Sequence, residues 1–310
     1  MNKKTYLIEK AEKGLTIQQY LKQIAGFSNA QIRSMKFTEK GICLGGQRAR
    51  VTTRLSEGDV LEVLLETKNS SSAHLLSFEQ MPDILYEDAD VIAVNKPAGM
   101  AVHPSHGHYQ DTLANQLAYY FRKNTQQVEI HSIGRLDLET SGIVLFAKHR
   151  AAAARLSRQR EDGRLQKTYL AICSGIFAEK NGTLNGAIAP LPGSLMKMCV
   201  SKDGKPAVTH YQVQKQYMEA ALVQLTLETG RTHQIRVHMA DAGHPLIGDR
   251  LYFADTDQKA DVDAENCFTG IKRAALHASR ICFYQPFEGK RITVEAPFPE
   301  DMKKCLFRDE

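Results

Sequence analysis

Arg135 and Asp137 stand two residues apart in HSIGRLDLETSGIVLFAKH, residues 131–149, where a charged turn runs directly into an apolar strand. Gly134, Thr140, Ser141 and Gly142 are turn formers, and IVLFA at 143–147 is a short β-rich run bounded by them, the pattern of a buried strand. Asp137 is therefore expected at the lip of a sheet. An ionised carboxylate in a cleft can act as nucleophile or general base, whereas the same residue in a turn can simply bond its own backbone two residues on. The stretch by itself leaves both readings open.

Three further stretches are rich in functional side chains: NKPAGMAVHPSHGH at 95–108, LQKTYLAICSG at 165–175 and ETGRTHQIRVHMADAGHPLIGD at 228–249. His103, His106 and His108 lie on a Pro/Gly-rich loop without a partnered acidic cluster, and His233 and His238 are five apart rather than the four that would align two ligands on one helical face. No metal site is expected. Neither GxxxxGK[ST] nor a strand-borne GxGxxG occurs, so no nucleotide cofactor is expected either. Arg231 ends a strand, with Thr232 placed to cap a helix HQIRVHMADA that closes at Gly243. Its guanidinium either meets a carboxylate or lies on the surface. Tyr169 falls in an alternating strand and, taken singly, reads as a core residue with a bonded hydroxyl.

The elements that must position these groups come from a chain of 310 residues with formal net charge +5, enough for two domains and compatible with a phosphate-bearing partner. Six scattered cysteines without a CxxC pair argue against a disulfide framework and a thiolate metal site. The N-terminus has no apolar signal core, and no run approaches the roughly 18 apolar residues that span a bilayer. A cytoplasmic monomer without membrane contact is expected.

Residues 1–66 read as a small α/β unit. Ile17, Tyr20, Leu21 and Ile24 repeat at helical spacing, Ser28 with Gln31 has capping-box form, and strands follow at 42–44 and 60–65. From residue 13 to 66, eight Lys and Arg oppose five acids. The stretch 67–81, with its serine run, has linker composition, and 82–310 forms the second unit. There, strands are expected at 84–86, 91–95, 168–173, 208–213, 222–228, 276–284 and 291–296, with a helix capped by Asp111 and another over 151–159. Strands outnumber helices with little βαβ alternation, so the fold class is α+β, a mixed, largely antiparallel sheet with a central cleft.

Two resemblances are carried by these residues. Ser28, Arg33, Lys36, the hairpin with Arg48 and Arg50, and Glu57-Gly58-Asp59-Val60 resemble the RNA-binding domain first known from ribosomal protein S-four, with Asn29 in place of the usual basic residue. NKPAGMAVHPS at 95–105, RLDLETSGIVLFAK at 135–148, KTYLAICSG at 167–175 and TGRTHQIRVHMADAGHPLIGDRLY at 229–252 resemble the pseudouridine synthases of the RluA family, which usually have His where this chain has Gly134. That resemblance implies Asp137 as the catalytic aspartate, Arg135 as the residue that helps displace the target nucleotide, Tyr169 as the aromatic against the uracil and Arg231 as the partner of the aspartate. It implies uridine isomerisation in RNA without a cofactor, on large-subunit ribosomal RNA first and transfer RNA second. Arg33, Lys36, Arg48 and Arg50 would grip RNA. Arg155 and Arg158, in the basic run after the turn, would line the phosphate path or a solvated helix face. A non-catalytic RNA-binding or ribosome-assembly factor would not need Asp137, Tyr169 and Arg231 together. A glycoside-cleaving enzyme would need Asp137 and Glu139 to face one sugar, which a turn gives no reason for.

Overall fold

The computed structural model describes residues 3–65, 75–105, 107–194, 196–253 and 271–306. His106 and the serine run of the expected linker lie outside them. The first unit contains β1 (Lys3–Leu7), α1 (Ile17–Gln23), α2 (Asn29–Phe37), β2 (Ile42–Leu44), β3 (Gln47–Arg48) and β4 (Val60–Leu64), with sheet order β1-β4-β2-β3. β1 precedes the two helices that were expected to come first; its pattern of alternately exposed and half-buried residues carries too little apolar signal to stand out. Thr16 and Ser28 cap their helices by accepting from Gln19 N and Gln31 N. Ile17, Leu21, Leu61 and Val63 fill the core beneath.

The second unit continues with β5 (Ile84–Glu87), β6 (Val91–Lys96), α3 (Leu113–Lys123), β7 (His131–Ser132), β8 (Ser141–Ala147), α4 (Arg150–Glu161), β9 (Gln166–Ser174), β10 (Asn181–Asn185), β11 (Ile188–Pro190), β12 (Met198–Val200), β13 (Val208–Gln216), β14 (Ala220–Leu227), α5 (Gln234–Asp241), β15 (Leu276–Tyr284), β16 (Arg291–Glu295) and α6 (Glu300–Leu306). Ten strands form one sheet, ordered β10-β13-β14-β9-β15-β8-β6-β5, with β16 on β15 and β7 on β8. The sheet is mixed and largely antiparallel. Among the described strands the parallel pairing joins β8 to β15, where Ser141 faces His277 and Gly142 faces Ala278.

Burial of β8 on both faces explains its unbroken apolar run. Val144 and Phe146 pack with Leu113, Leu117 and Phe121 of α3, while Ile143, Leu145 and Ala147 pack with Ala152 and Leu156 of α4. Burying side chains of this size contributes roughly 1.5–3 kcal/mol each. Gly142, at φ 107°, leaves room for the Ala278 backbone, which a Cβ would strike.

Three local expectations are corrected. The cap of α3 is Thr112, which forms a capping box with Asn115, while Asp111 Oδ2 meets His108 Nδ1 at 2.7 Å. α5 starts at Gln234 after His233, which adopts a left-handed conformation (φ 55°), so Thr232 does not cap it. Residues 75–78, placed in the linker by composition, are tied to α3: Arg122 donates to Ser77 Oγ and Leu75 O, and Asn115 Nδ2 donates to Leu76 O at 2.7 Å.

The two units pack on one another. Ala151 of α4 joins the core of the first unit, and Arg155 lies between the rings of Phe27 and Phe287, with its Cζ 5.2 and 4.0 Å from their centroids. Arg155 Nη1 donates to Pro286 O at 2.7 Å, and Lys4 Nζ stands 3.8 Å from Asp90 Oδ2. Arg155 is thus corrected from a phosphate-path residue to an interface residue, its guanidinium held by aromatic faces. Arg158, three residues on, is exposed.

Candidate active site

Residues 133–140 join β7 to β8, with Ile133, Leu136 and Thr140 buried. Leu136 is buried in the same core cluster as Tyr169, Ile235 and Met239, Arg135 and Leu138 are exposed, and Asp137 is partly buried between them. Gly134 has φ 82°, a left-handed value that a β-carbon disfavours, which gives glycine a local reason at this position. Thr140 N donates to Asp137 O at 3.2 Å and closes the turn.

Around Asp137 stand groups from four segments. Tyr169 on β9 is buried in register with Leu225 and Ala278; burial pushes its phenol above the ordinary range, and the Asp137 charge adds to that. Arg236 on α5 is buried, and its Nε and Nη2 donate to Asp249 Oδ2 and Oδ1 at 2.6 and 2.7 Å. Burial alone would weaken that guanidinium's hold on its proton. The Asp249 bonds, with the charges of Asp249, Asp137 and Glu139, more than offset this, and Arg236 is held above its ordinary value. His233 Nδ1 meets Tyr252 Oη at 2.8 Å; burial lowers the imidazole's proton affinity, while Asp137 opposes the shift.

Lys96, at the end of β6, is fully buried. Its Nζ donates to Pro97 O, Met100 O and Leu138 O at 2.9, 2.8 and 3.1 Å, tying the Pro/Gly-rich loop to the residue after Asp137. Burial pushes its ammonium down to about 7, helped by Arg273 and opposed by Asp137. Gly99 N also donates to Leu138 O at 2.8 Å.

Of the residues picked from sequence, Asp137 and Tyr169 are brought together and Arg135 sits exposed beside them. Arg231 is not brought in. Its Nε donates to Pro206 O at 2.9 Å, and among the described residues no ion pair joins it to Asp137. The buried cations that feel the Asp137 charge are Lys96 and Arg236, the latter five residues on from Arg231. The reason is local: Arg231 stands in the strand-to-helix connection, whereas α5 buries Gln234 to Met239 throughout and carries Arg236 inward. An arginine between Ile235 and Val237 was the missed signal, since a helix buried on all sides can hold a guanidinium only beside carboxylates. Lys96, His233, Asp249 and Tyr252 lay inside recognised motifs without an assigned role. Arg33, Lys36, Arg48 and Arg50 are all exposed on the first unit, with Arg48 Nη2 donating to Lys36 O at 3.1 Å.

The family model described as RNA pseudouridylate synthase matches residues 90–241. A Bacillus subtilis protein named Uncharacterized RNA pseudouridine synthase YjbO is 36% identical over 293 residues, covering 94% of this chain and 98% of that one. Ribosomal large subunit pseudouridine synthase D of Haemophilus influenzae is 35% identical over 252 residues, covering 80% and 76%. The solved structure of Human RNA Pseudouridylate Synthase Domain Containing 1 matches with TM-score 0.57 at 27% identity, covering 77% of this chain and 90% of that one.

Proposed function

The chain belongs to the RNA pseudouridine synthase family, in its RluA-type branch, and on that footing we propose that Asp137 is the carboxylate that carries the reaction and that the substrate is large-subunit ribosomal RNA. The isomerisation breaks the bond from ribose C1′ to uracil N1, turns the base and joins C1′ to C5; the proton on C5 leaves and N1 gains one, so no atom is lost. A single ionised carboxylate serves each route to that exchange, attack on the ribose, attack on the base or removal of a ribose proton. The observation that carries this reading is the position of Asp137 at the end of the sheet, where its charge acts on both Tyr169 and Arg236.

Each neighbour has a part. Arg236, fixed by Asp249, sets a buried positive charge whose field reaches Asp137. Tyr169 keeps its phenolic proton and offers a rigid ring to the uracil. Extrusion of a stacked nucleotide costs a few kcal/mol, and exposed Arg135, two residues before Asp137, is placed to occupy the gap. Arg33, Lys36, Arg48 and Arg50 grip the phosphates of the same RNA. The ribosomal substrate is supported by the names of relatives such as the Haemophilus influenzae enzyme.

Asp137→Asn keeps the shape and removes the charge. It is expected to abolish pseudouridine formation, measured as release of the C5 hydrogen from labelled RNA, while RNA affinity stays within about twofold. Turnover at the parent rate would sink the assignment of Asp137. Mapping pseudouridines in ribosomal and transfer RNA from cells with and without the gene tests the substrate; a site lost only from transfer RNA would overturn the ribosomal reading.

A further inference from the structure

The two residues after Asp137 each have their carbonyl held by a buried cation from a distant segment. Lys96 Nζ holds Leu138 O, and Arg273 Nη1 reaches Glu139 O at 3.3 Å. The Glu139 side chain is held from the same segment, its Oε2 accepting from Ala274 N at 3.0 Å. Arg273 has no freedom of its own. Its Nε and Nη2 donate to Asp301 Oδ2 and Oδ1 at 2.7 and 3.0 Å, and Nη1 also donates to Ala274 O and Leu276 O, both at 3.1 Å. A guanidinium bonded along both edges of its fork is fixed in plane and in rotation.

The surroundings make these bonds matter. A pocket of about 300 Å³ is lined by Lys96, Ser141, Arg273, His277, Asp301 and Lys303, so this side of the turn is not closely packed. Where packing is incomplete, hydrogen bonds rather than contacts set the position of a segment. Beyond its charge on Lys96, what Arg273 offers the turn is the bond to Glu139 O.

We propose that Arg273, oriented by Asp301 at the start of α6, is a positioning residue that fixes the reach of the Asp137 carboxylate through Glu139. The proposal rests on Asp137 being the reacting carboxylate. A displacement of about 1 Å at a reacting group costs on the order of 100-fold in rate, which sets the expected scale.

The test is single-turnover isomerisation of a ribosomal RNA fragment carrying the target uridine, with full-length enzyme in excess, reading the saturated rate constant, the amplitude and the half-saturating enzyme concentration separately. Arg273→Gln should lower the saturated rate constant about 100-fold and Asp301→Asn about tenfold, with the half-saturating concentration within twofold of the parent. A purely structural role would raise the half-saturating enzyme concentration and leave the saturated rate constant unchanged, because misfolded molecules remove sites without slowing intact ones, and that outcome overturns the proposal. So does a saturated rate constant within twofold of the parent. Should Arg273→Gln fail to fold, Asp301→Asn decides, since the Asp301 side chain is 40% exposed and tolerates the change. Asp137→Asn is run alongside. If it is inactive while the other two variants react at the parent rate, only the positioning proposal falls; if it reacts at the parent rate, the carboxylate being positioned is lost and both readings fall.

Discussion

The cations of the first unit and those around the turn at 135–140 are the same residue types in opposite situations. Arg33, Lys36, Arg48 and Arg50 point into water, and the one bond among them goes to a backbone carbonyl. Lys96, Arg236 and Arg273 are buried, and each has its donors committed, Lys96 to three carbonyls, Arg236 to Asp249, and Arg273 to Asp301 and three carbonyls. Exposed cations cost little to keep and are free for a polyanion, whereas a buried cation is tolerated only where acceptors await it and therefore fixes those acceptors in place. Charge alone does not tell a binding surface from a scaffold. Burial does.

The contrast is broken most severely at Arg236. Arg236→Met would leave the Asp249 carboxylate buried without its partner, a loss of about 3–5 kcal/mol, and would remove the cation beside Asp137. Arg231→Met, the change that the sequence alone would have chosen, should shift stability by no more than about 0.5 kcal/mol and leave the rate near the parent's. Urea unfolding and single-turnover rates on both variants check this; equal losses would show that the two arginines share one task.

Lys96 is next. Lys96→Met should cost about 2–4 kcal/mol at pH 7 by leaving carbonyls without donors. The folded value near 7 lies below the ordinary 10.5, so between those two pH values the unfolded chain holds a proton that the folded chain does not. The parent's unfolding free energy should therefore rise with pH across that window, by up to about 1.4 kcal/mol per pH unit. The Met variant should lose that slope. Unfolding curves at pH 7, 8 and 9 that keep the same slope in both proteins would mean that Lys96 does not titrate there.

The smallest effect on the fold, and the largest on binding, belongs to the exposed set. Replacing Arg33, Lys36, Arg48 and Arg50 together by Ala should leave the melting temperature within a few degrees. It should reduce the dependence of log affinity on log salt by about 3, taking roughly 0.7 per contact with single-stranded RNA. A salt titration with an unchanged slope would move RNA binding away from this face.

Much of this architecture was legible. Alternation and apolar β-branched runs located β2, β4, β5, β6, β8, β9 and β13 to β16. Asp137 and Tyr169 came from their motifs and stand together. What escaped was whatever depended on which way a side chain faces at a chain reversal. Arg231 precedes the left-handed His233, whereas Arg236 follows it on α5, whose residues Gln234 to Met239 are all buried. Arg155 reads as one basic residue among several, yet the rings of Phe27 and Phe287 claim it. The 271–275 segment escaped because Arg273 bonds a backbone carbonyl 134 residues away, which no local spacing reports.

The pairing of Ser141 with His277 spans 136 residues, and their side chains also meet, Oγ to Nδ1, at 3.0 Å. In time, this makes the turn the last part of the site to be completed. Contacts so distant in sequence form late and slowly, because the intervening chain must close first. During synthesis β6, α3, β8 and α4 are already available to pack, while β15 and Arg273 have yet to emerge. A nascent chain ending before Arg273 would thus bear both the proposed RNA-binding face and the proposed reactive aspartate, with Leu138 already tied to Lys96 but Glu139 still lacking its bonds to Arg273 and Ala274.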